Sequence, residues 1–209
     1  MSLYKAVIIM DYIIEKLNIL AETGSGIITG KALEESGINR LQLYNLLLSG
    51  ILIKESHGHY TLSANQPDIF TIIQSRSNKL IFSHSSALYL HSISKQLQKF
   101  IDITIPQGDN ISRIKKDYQN VIFHYCKKET WEMGIENITT PSGYIVKAYD
   151  TERSICDLIK NKANTDTKIY SQSIREYFTG DKYNPERLIK YATALKLEDK
   201  VRNYMEILT

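Results

Sequence analysis

Gly37-Ile38-Asn39 is the joint that most constrains what this chain can become. Glycine tolerates the φ > 0 conformation that ends a helix, here a short one expected over 29–36. Asn39 can cap the helix that follows, while Gln42, three residues on, reaches back to the free backbone N–H at the cap. Two helices meeting at so tight a turn make a helix-turn-helix in outline. The helix over 40–49 sets Leu43, Tyr44, Leu47 and Leu48 on one side. Gln42, Asn45 and Ser49, at i, i+3 and i+7, line the other. A polar stripe of hydrogen-bonding side chains is what a DNA major groove accepts.

The flanks agree with that joint. Upstream, Ala6, Met10, Ile13, Leu17 and Leu20 recur at spacings of three and four, one face of a helix, with Lys5, Glu15, Lys16 and Asn18 on its wet side. Glu22-Thr23-Gly24-Ser25-Gly26 closes it. Downstream, Gly50 ends the third helix, 51–55 reads as a strand, Gly58 gives freedom to a hairpin tip at Ser56-His57-Gly58, and 59–62 returns. Three helices and a two-stranded hairpin predict a winged helix-turn-helix over residues 1–62. The polar stretch 63–68, holding Pro67, is the expected linker.

From residue 69 to 209 the text turns to mixed α and β. Strands are expected over 80–83, 100–105 and 120–125, a helix over 85–93, and a β-hairpin around Thr140-Pro141-Ser142-Gly143. Helices then fill 151–162, 168–178 and 185–208, the last opened by Asn184-Pro185 and broken near Leu197-Glu198. The fold class is α+β: a winged helix-turn-helix followed by an α+β domain with its sheet early and its helices late.

Composition narrows the function. Hydrophobic residues at 43% and charged residues at 23% fit a globular chain of 209 residues and argue against disorder. No apolar run approaches the ~18–20 residues of a bilayer span, and no secretory cleavage pattern follows the start, so a cytoplasmic protein is expected. Lys and Arg exceed Asp and Glu by 26 to 23, a net charge of +3. Residues 1–62 hold five basic and six acidic side chains, so the DNA-reading segment is not basic overall. Binding there must rest on where Lys31, Arg40 and Lys54 stand, or on help from the second part of the chain, where Arg113, Lys115, Lys116, Lys127 and Lys128 are candidates for a second basic patch and a plain solvated loop is an equal alternative.

Catalytic signatures are mostly missing. The sequence has no G-x-S-x-G, H-E-x-x-H or strand-following G-x-G-x-x-G, and Gly24 to Lys31 misses phosphate-loop spacing. Cys126 and Cys156 lack metal-ligand or disulfide spacing and read as buried free thiols. His84 and His91 fall two helical turns apart but lack a third ligand, so neither a metal nor a cofactor is expected. Asp150, Glu152 and Asp157 cluster at a strand-to-helix junction, where capping outweighs catalysis. Arg153 and Asp157 form an i,i+4 pair worth ~0.3–0.5 kcal/mol if exposed. With Asp102, the cluster leaves open a rival reading, a nuclease or other phosphoryl-handling enzyme guided by the winged domain. A winged helix used for protein contact is a third.

Several segments in fixed order resemble the AbiEi family of antitoxins from bacterial type IV toxin–antitoxin, phage-defence operons. They are Gly37-Ile38-Asn39-Arg40, Leu43-Tyr44, Gly50-Ile51-Leu52 and Gly58-His59-Tyr60-Thr61-Leu62 in the first part. In the second part they are Ser85-Ser86-Ala87-Leu88-Tyr89-Leu90-His91, Thr104-Ile105-Pro106, residues 149–159 (Tyr149-Asp150-Thr151-Glu152-Arg153 and on to Ile159) and residues 200–208. The resemblance implies a transcriptional autorepressor whose winged domain binds inverted repeats in its own promoter. It also implies a C-terminal domain that antagonises a nucleotidyltransferase toxin without a stable complex, and a monomer that binds DNA cooperatively. In that frame Arg40, Gln42, Asn45 and Ser49 face the groove, Thr29 and Lys31 the backbone, and Lys54, His57 and His59 ride the wing. Tyr44 is expected in the core.

Overall fold

The computed structural model describes the backbone of residues 3–208 and the side chains of residues 8–208. Lys5 and Ala6, read above on the two faces of the first helix, lie outside the described side chains. The chain is mixed α+β, with two sheets, strands in the middle of the sequence and helices at both ends. Among the described residues no helix is long and apolar enough to cross a membrane.

It divides into two compact units, residues 1–76 with 140–145, and residues 77–139 with 146–209. The composition break at Pro67 therefore falls inside the first unit. Asp68 explains why: its carboxylate accepts the backbone N–H and the hydroxyl of Thr71, capping a helix that keeps the chain with the first unit until Arg76. Residues 63–68 are partly tied down, with an isolated bridge between Leu62 and Asn65.

The first unit holds α1 (Leu3–Thr23), β1 (Ile28–Thr29), α2 (Gly30–Glu35), α3 (Arg40–Leu48), β2 (Leu52–Ser56), β3 (His59–Leu62) and α4 (Ile69–Gln74). The hairpin β2–β3 forms where the sequence places it, and β1 adds a third antiparallel strand against β3, an element the sequence reading lacks. The core gathers Leu17, Ala21, Ile28, Leu33, Ile38, Leu46, Leu52, Tyr60 and Leu62. Met10 is not part of it: the buried face of α1 runs through Ile13, Leu17, Leu20 and Ala21, and Met10 joins Ile8, Ile9, Tyr12 and Ile19 in the open.

The turn between α2 and α3 is built as the residues demand. Gly37 adopts φ +84°, while Ile38 N–H donates to the Leu33 carbonyl at 3.0 Å. The reciprocal cap is complete: Gln42 N–H donates to Asn39 Oδ1 and Asn39 N–H to Gln42 Oε1, both at 2.9 Å. A cap of this kind contributes about 1 kcal/mol and fixes where α3 begins.

The second unit contains β4 (Ile81–Phe82), α5 (His84–Leu90), β5 (Ile101–Pro106), α6 (Ser112–Asp117), β6 (Val121–Cys126), α7 (Lys128–Trp131), β7 (Ile135–Thr139), β8 (Ile145–Tyr149), α8 (Thr151–Lys160), α9 (Thr167–Thr179), α10 (Pro185–Ala194) and α11 (Glu198–Leu208). The first residue of β8 belongs by its contacts to the other unit. The strand order is β6-β5-β4-β8-β7, antiparallel between β4 and β5 and parallel at β5/β6 and β4/β8. Helix α8 is buried from Thr151 to Ile159, because its apolar residues Ile155, Cys156, Leu158 and Ile159 pack with Leu88, Tyr177, Leu188 and Val201 of its neighbours. The last helical stretch is two helices, with Lys196 at φ +59° in the joint. Cys156 is a buried free thiol, whereas Cys126 is only half-buried.

Candidate functional site

Helix α3 carries the residues the sequence nominates for a DNA groove, in altered company. Arg40 and Asn45 are exposed and free to reach outward. Gln42 is half-buried, and its carbonyl oxygen is committed to the cap. The helix ends at Leu48, so Ser49 is its C-cap, with a hydroxyl donating to the Leu46 carbonyl at 3.2 Å. The polar stripe is therefore shorter than the spacing suggests.

The apolar face moves as well. Leu46 is the buried residue of α3, with Leu43 and Leu47 half-buried, while Leu41, Tyr44 and Leu48 are 70%, 58% and 68% exposed. Tyr44, expected in the core, thus shares the open face with Arg40 and Asn45. Apolar groups there can meet thymine methyls, and a tyrosine hydroxyl can donate to phosphate.

The residues assigned to the DNA backbone have local duties too. Thr29 caps α2, its hydroxyl oxygen accepting Ala32 N–H at 3.1 Å. Lys31 is exposed and lies 3.5 Å from Glu35 one turn on, an exposed pair of little energetic weight. On the hairpin, Lys54 and His57 are exposed, and His59 is half-buried with Nδ1 donating to the His57 carbonyl at 3.1 Å. The tip residue Gly58 has φ +73°.

In the second unit Arg113, Lys115 and Lys116 lie on α6, a short helix absent from the sequence reading, and all three are exposed. Lys115 Nζ stands 5.0 Å from the Tyr125 ring centre and 5.8 Å from that of Phe123. Lys127 and Lys128, also exposed, follow β6.

The carboxylates of the strand-to-helix junction each have partners close by. Asp150 caps α8 by accepting Arg153 N–H at 2.8 Å, and its other oxygen accepts the Tyr191 hydroxyl at 2.7 Å. Glu152 lies 3.5 Å from Arg187 and accepts the Tyr177 hydroxyl; burial holds its carboxyl above the ordinary glutamate range. The Arg153–Asp157 pair, weighed above as a surface pair, is interior, with side chains 2% and 7% exposed.

One cluster escaped the sequence reading. His84, Asp102 and His124 come together although the sequence pairs His84 with His91. His91 is occupied elsewhere, its Nε2 donating to the Tyr149 carbonyl at 2.8 Å. Instead the rings of His84 and His124 stack, centroids 3.7 Å apart and planes 21° off parallel. His124 Nε2 is 2.8 Å from Asp102 Oδ1, and Asp102 Oδ2 accepts the Ser85 hydroxyl at 2.5 Å. Burial, then the neighbouring His124, lowers the His84 pKa to about 3, so its imidazole is neutral. His84 also adopts φ +49°, a conformation few residues with a Cβ accept. The two rings border a cavity of about 610 Å³ whose other walls include Lys127, Arg153, Lys160 and Lys196.

No family model matches this sequence, and no curated protein does. Among solved structures, the crystal structure of the RV2827C protein from Mycobacterium tuberculosis is similar, with a TM-score of 0.60 over 88% of this chain and 74% of that one. The two sequences are 14% identical, so the likeness is one of fold.

Proposed function

We propose that this protein is a cytoplasmic DNA-binding autorepressor and antitoxin of the AbiEi kind. In this reading the first unit is a winged helix-turn-helix that binds inverted repeats in its own promoter, with α3 in the major groove and the β2–β3 hairpin as the wing. The second unit antagonises a nucleotidyltransferase toxin without a lasting complex. The observation that carries the reading is α3 itself. Its start is fixed by the Asn39–Gln42 cap, and it holds Arg40, Leu41, Tyr44, Asn45 and Leu48 in the open, in one unit with a hairpin bearing Lys54 and His57. Exposed leucines and a tyrosine on a capped helix call for a partner surface, and Arg40 with Asn45 gives that surface a base-reading chemistry.

The weak charge shapes the mechanism. With so few cations near α3, general attraction to phosphate is small, and affinity comes from placed contacts and from neighbouring bound monomers. The test is a binding titration of the purified chain on a fragment carrying its own upstream region, at several salt concentrations. Affinity is expected to exceed that for unrelated DNA and to fall with salt. Arg40→Ala and Asn45→Ala should each weaken specific binding by ~1–3 kcal/mol, about fivefold to 150-fold, while leaving nonspecific binding nearly unchanged. Lys54→Ala should weaken all sequences alike and flatten the salt slope by about one. Absence of a salt-sensitive, sequence-selective shift would rule the reading out.

A further inference from the structure

We propose that His84, Asp102 and His124 bind a divalent transition-metal ion of the zinc type. Each residue offers one donor atom, and the three atoms lie within 4.8 Å of one another. Roughly 2.0–2.2 Å bonds to nitrogen and oxygen place tetrahedral ligands a little over 3 Å apart, so the stacked rings of His84 and His124 splay open on loading to turn both lone pairs onto one ion. His124 Nε2 and Asp102 Oδ1, at 2.8 Å, already stand closer than that. The ion takes the place of the proton these two share, and that proton leaves to solvent.

The surroundings are those of ligands held in place. A carboxylate oxygen of Asp102 is fixed by the Ser85 hydroxyl, and its backbone N–H donates to Ser86 Oγ at 2.8 Å. His84 Nδ1 stands 3.0 Å from Ser83 Oγ, which also accepts the Thr104 hydroxyl at 2.8 Å. With Nδ1–H donating to Ser83, His84 Nε2 carries the free lone pair. These hydroxyls form the outer layer that orients metal-binding imidazoles and carboxylates. The fold also holds a buried His84 in a left-handed backbone conformation, strain that persists where surrounding structure enforces it and that gathers at functional positions.

The chemistry selects the ion. Two imidazoles and one carboxylate suit zinc, cobalt or nickel, whereas magnesium and calcium seek oxygen cages. Lys127, Lys160 and Lys196 on the same cavity wall repel a loosely held cation, and only the stronger nitrogen bonds overcome that. The cavity leaves a coordination position open.

The experiment uses the full chain without an affinity tag, stripped by chelator and dialysed against zinc or cobalt, with metal content then measured. One ion per chain is expected, with a visible absorption band for cobalt of low coordination number and a rise in melting temperature with zinc but not magnesium. His124→Ala, at a side chain one-fifth exposed on the cavity wall, and Asp102→Asn are expected to weaken binding by about 100-fold or more. His57→Ala with His59→Ala is expected to leave binding whole. Wild-type protein that retains no stoichiometric metal, binding that survives His124→Ala, or binding lost with His57 and His59 would each overturn the proposal. Where a ligand variant fails to fold, the cobalt band and stoichiometry of the wild-type chain decide.

Discussion

Replacing Arg153 with methionine is expected to lower the unfolding free energy by about 3–5 kcal/mol, the cost of leaving a buried charge without its partner. Arg153 Nε donates to both oxygens of Asp157, at 3.2 and 3.1 Å. Its Nη1 donates to the carbonyls of Thr130 and Met133, and the guanidinium lies 4.1 Å from the centre of the Tyr149 ring. Burial acts to lower the Arg153 pKa, but the charge and hydrogen bonds of Asp157 together with smaller contributions from its other neighbours raise it above the ordinary arginine value, and the group stays charged. Methionine fills much of the space but satisfies neither the carboxylate nor the two carbonyls. Urea unfolding of the variant should show an earlier midpoint, and a loss below about 1 kcal/mol would mean that Asp157 finds other relief. Adding Asp157→Leu should restore much of the loss, since an apolar pair can replace a buried ion pair at little cost.

The second large effect separates two leucines of one helix. Leu46→Ala is expected to cost about 2–5 kcal/mol, because this side chain, 3% exposed, packs among Leu17, Leu33 and Leu52. Leu48→Ala, at a residue 68% exposed, should change stability by no more than about 0.5 kcal/mol. Under the proposed DNA-binding function, a DNA titration is expected to rank them the other way, with Leu48→Ala weakening binding and Tyr44→Phe testing the exposed hydroxyl. If both leucines proved equally costly to fold, the open face of α3 would be part of a core.

These two leucines also show what the sequence could and could not convey. Caps and turns were legible because they are local: Asn39 with Gln42, Gly37 at the joint, Gly58 at the hairpin tip and Asn184-Pro185 at a helix start each act within a few residues. The buried side of α3 was not legible. Leu41, Leu43, Tyr44, Leu46, Leu47 and Leu48 leave almost every direction apolar, and only packing against β2 and into the shared core chooses among them. Helix α6 was missed because its polar text carries little amphipathic signal beyond Ile114.

The histidine cluster was hidden for another reason. Asp102 and His124 are twenty-two residues apart and meet because β5 and β6 pair in parallel, with Asp102 opposite Ile122 and Thr104 opposite His124. Two residues of separation along a strand preserve the face, so Asp102 and His124 become diagonal neighbours. The alternation Ile101-Asp102-Ile103-Thr104-Ile105 marks a strand without saying what covers its polar side, and in the structure both faces are buried. A carboxylate on such a strand is the signal that a partner set waits across the sheet.

The two free thiols give the chain a reporter of its own opening. Cys156 lies at the heart of the second unit, its thiol pushed up to about 12 chiefly by burial, while Cys126 ends a strand beside the cavity and is half in solvent. Reaction with a thiol reagent requires the thiolate and a path to it. Cys126 therefore reports on the folded surface beside the cavity, and Cys156 keeps time for the rarer event in which the helical core itself comes apart.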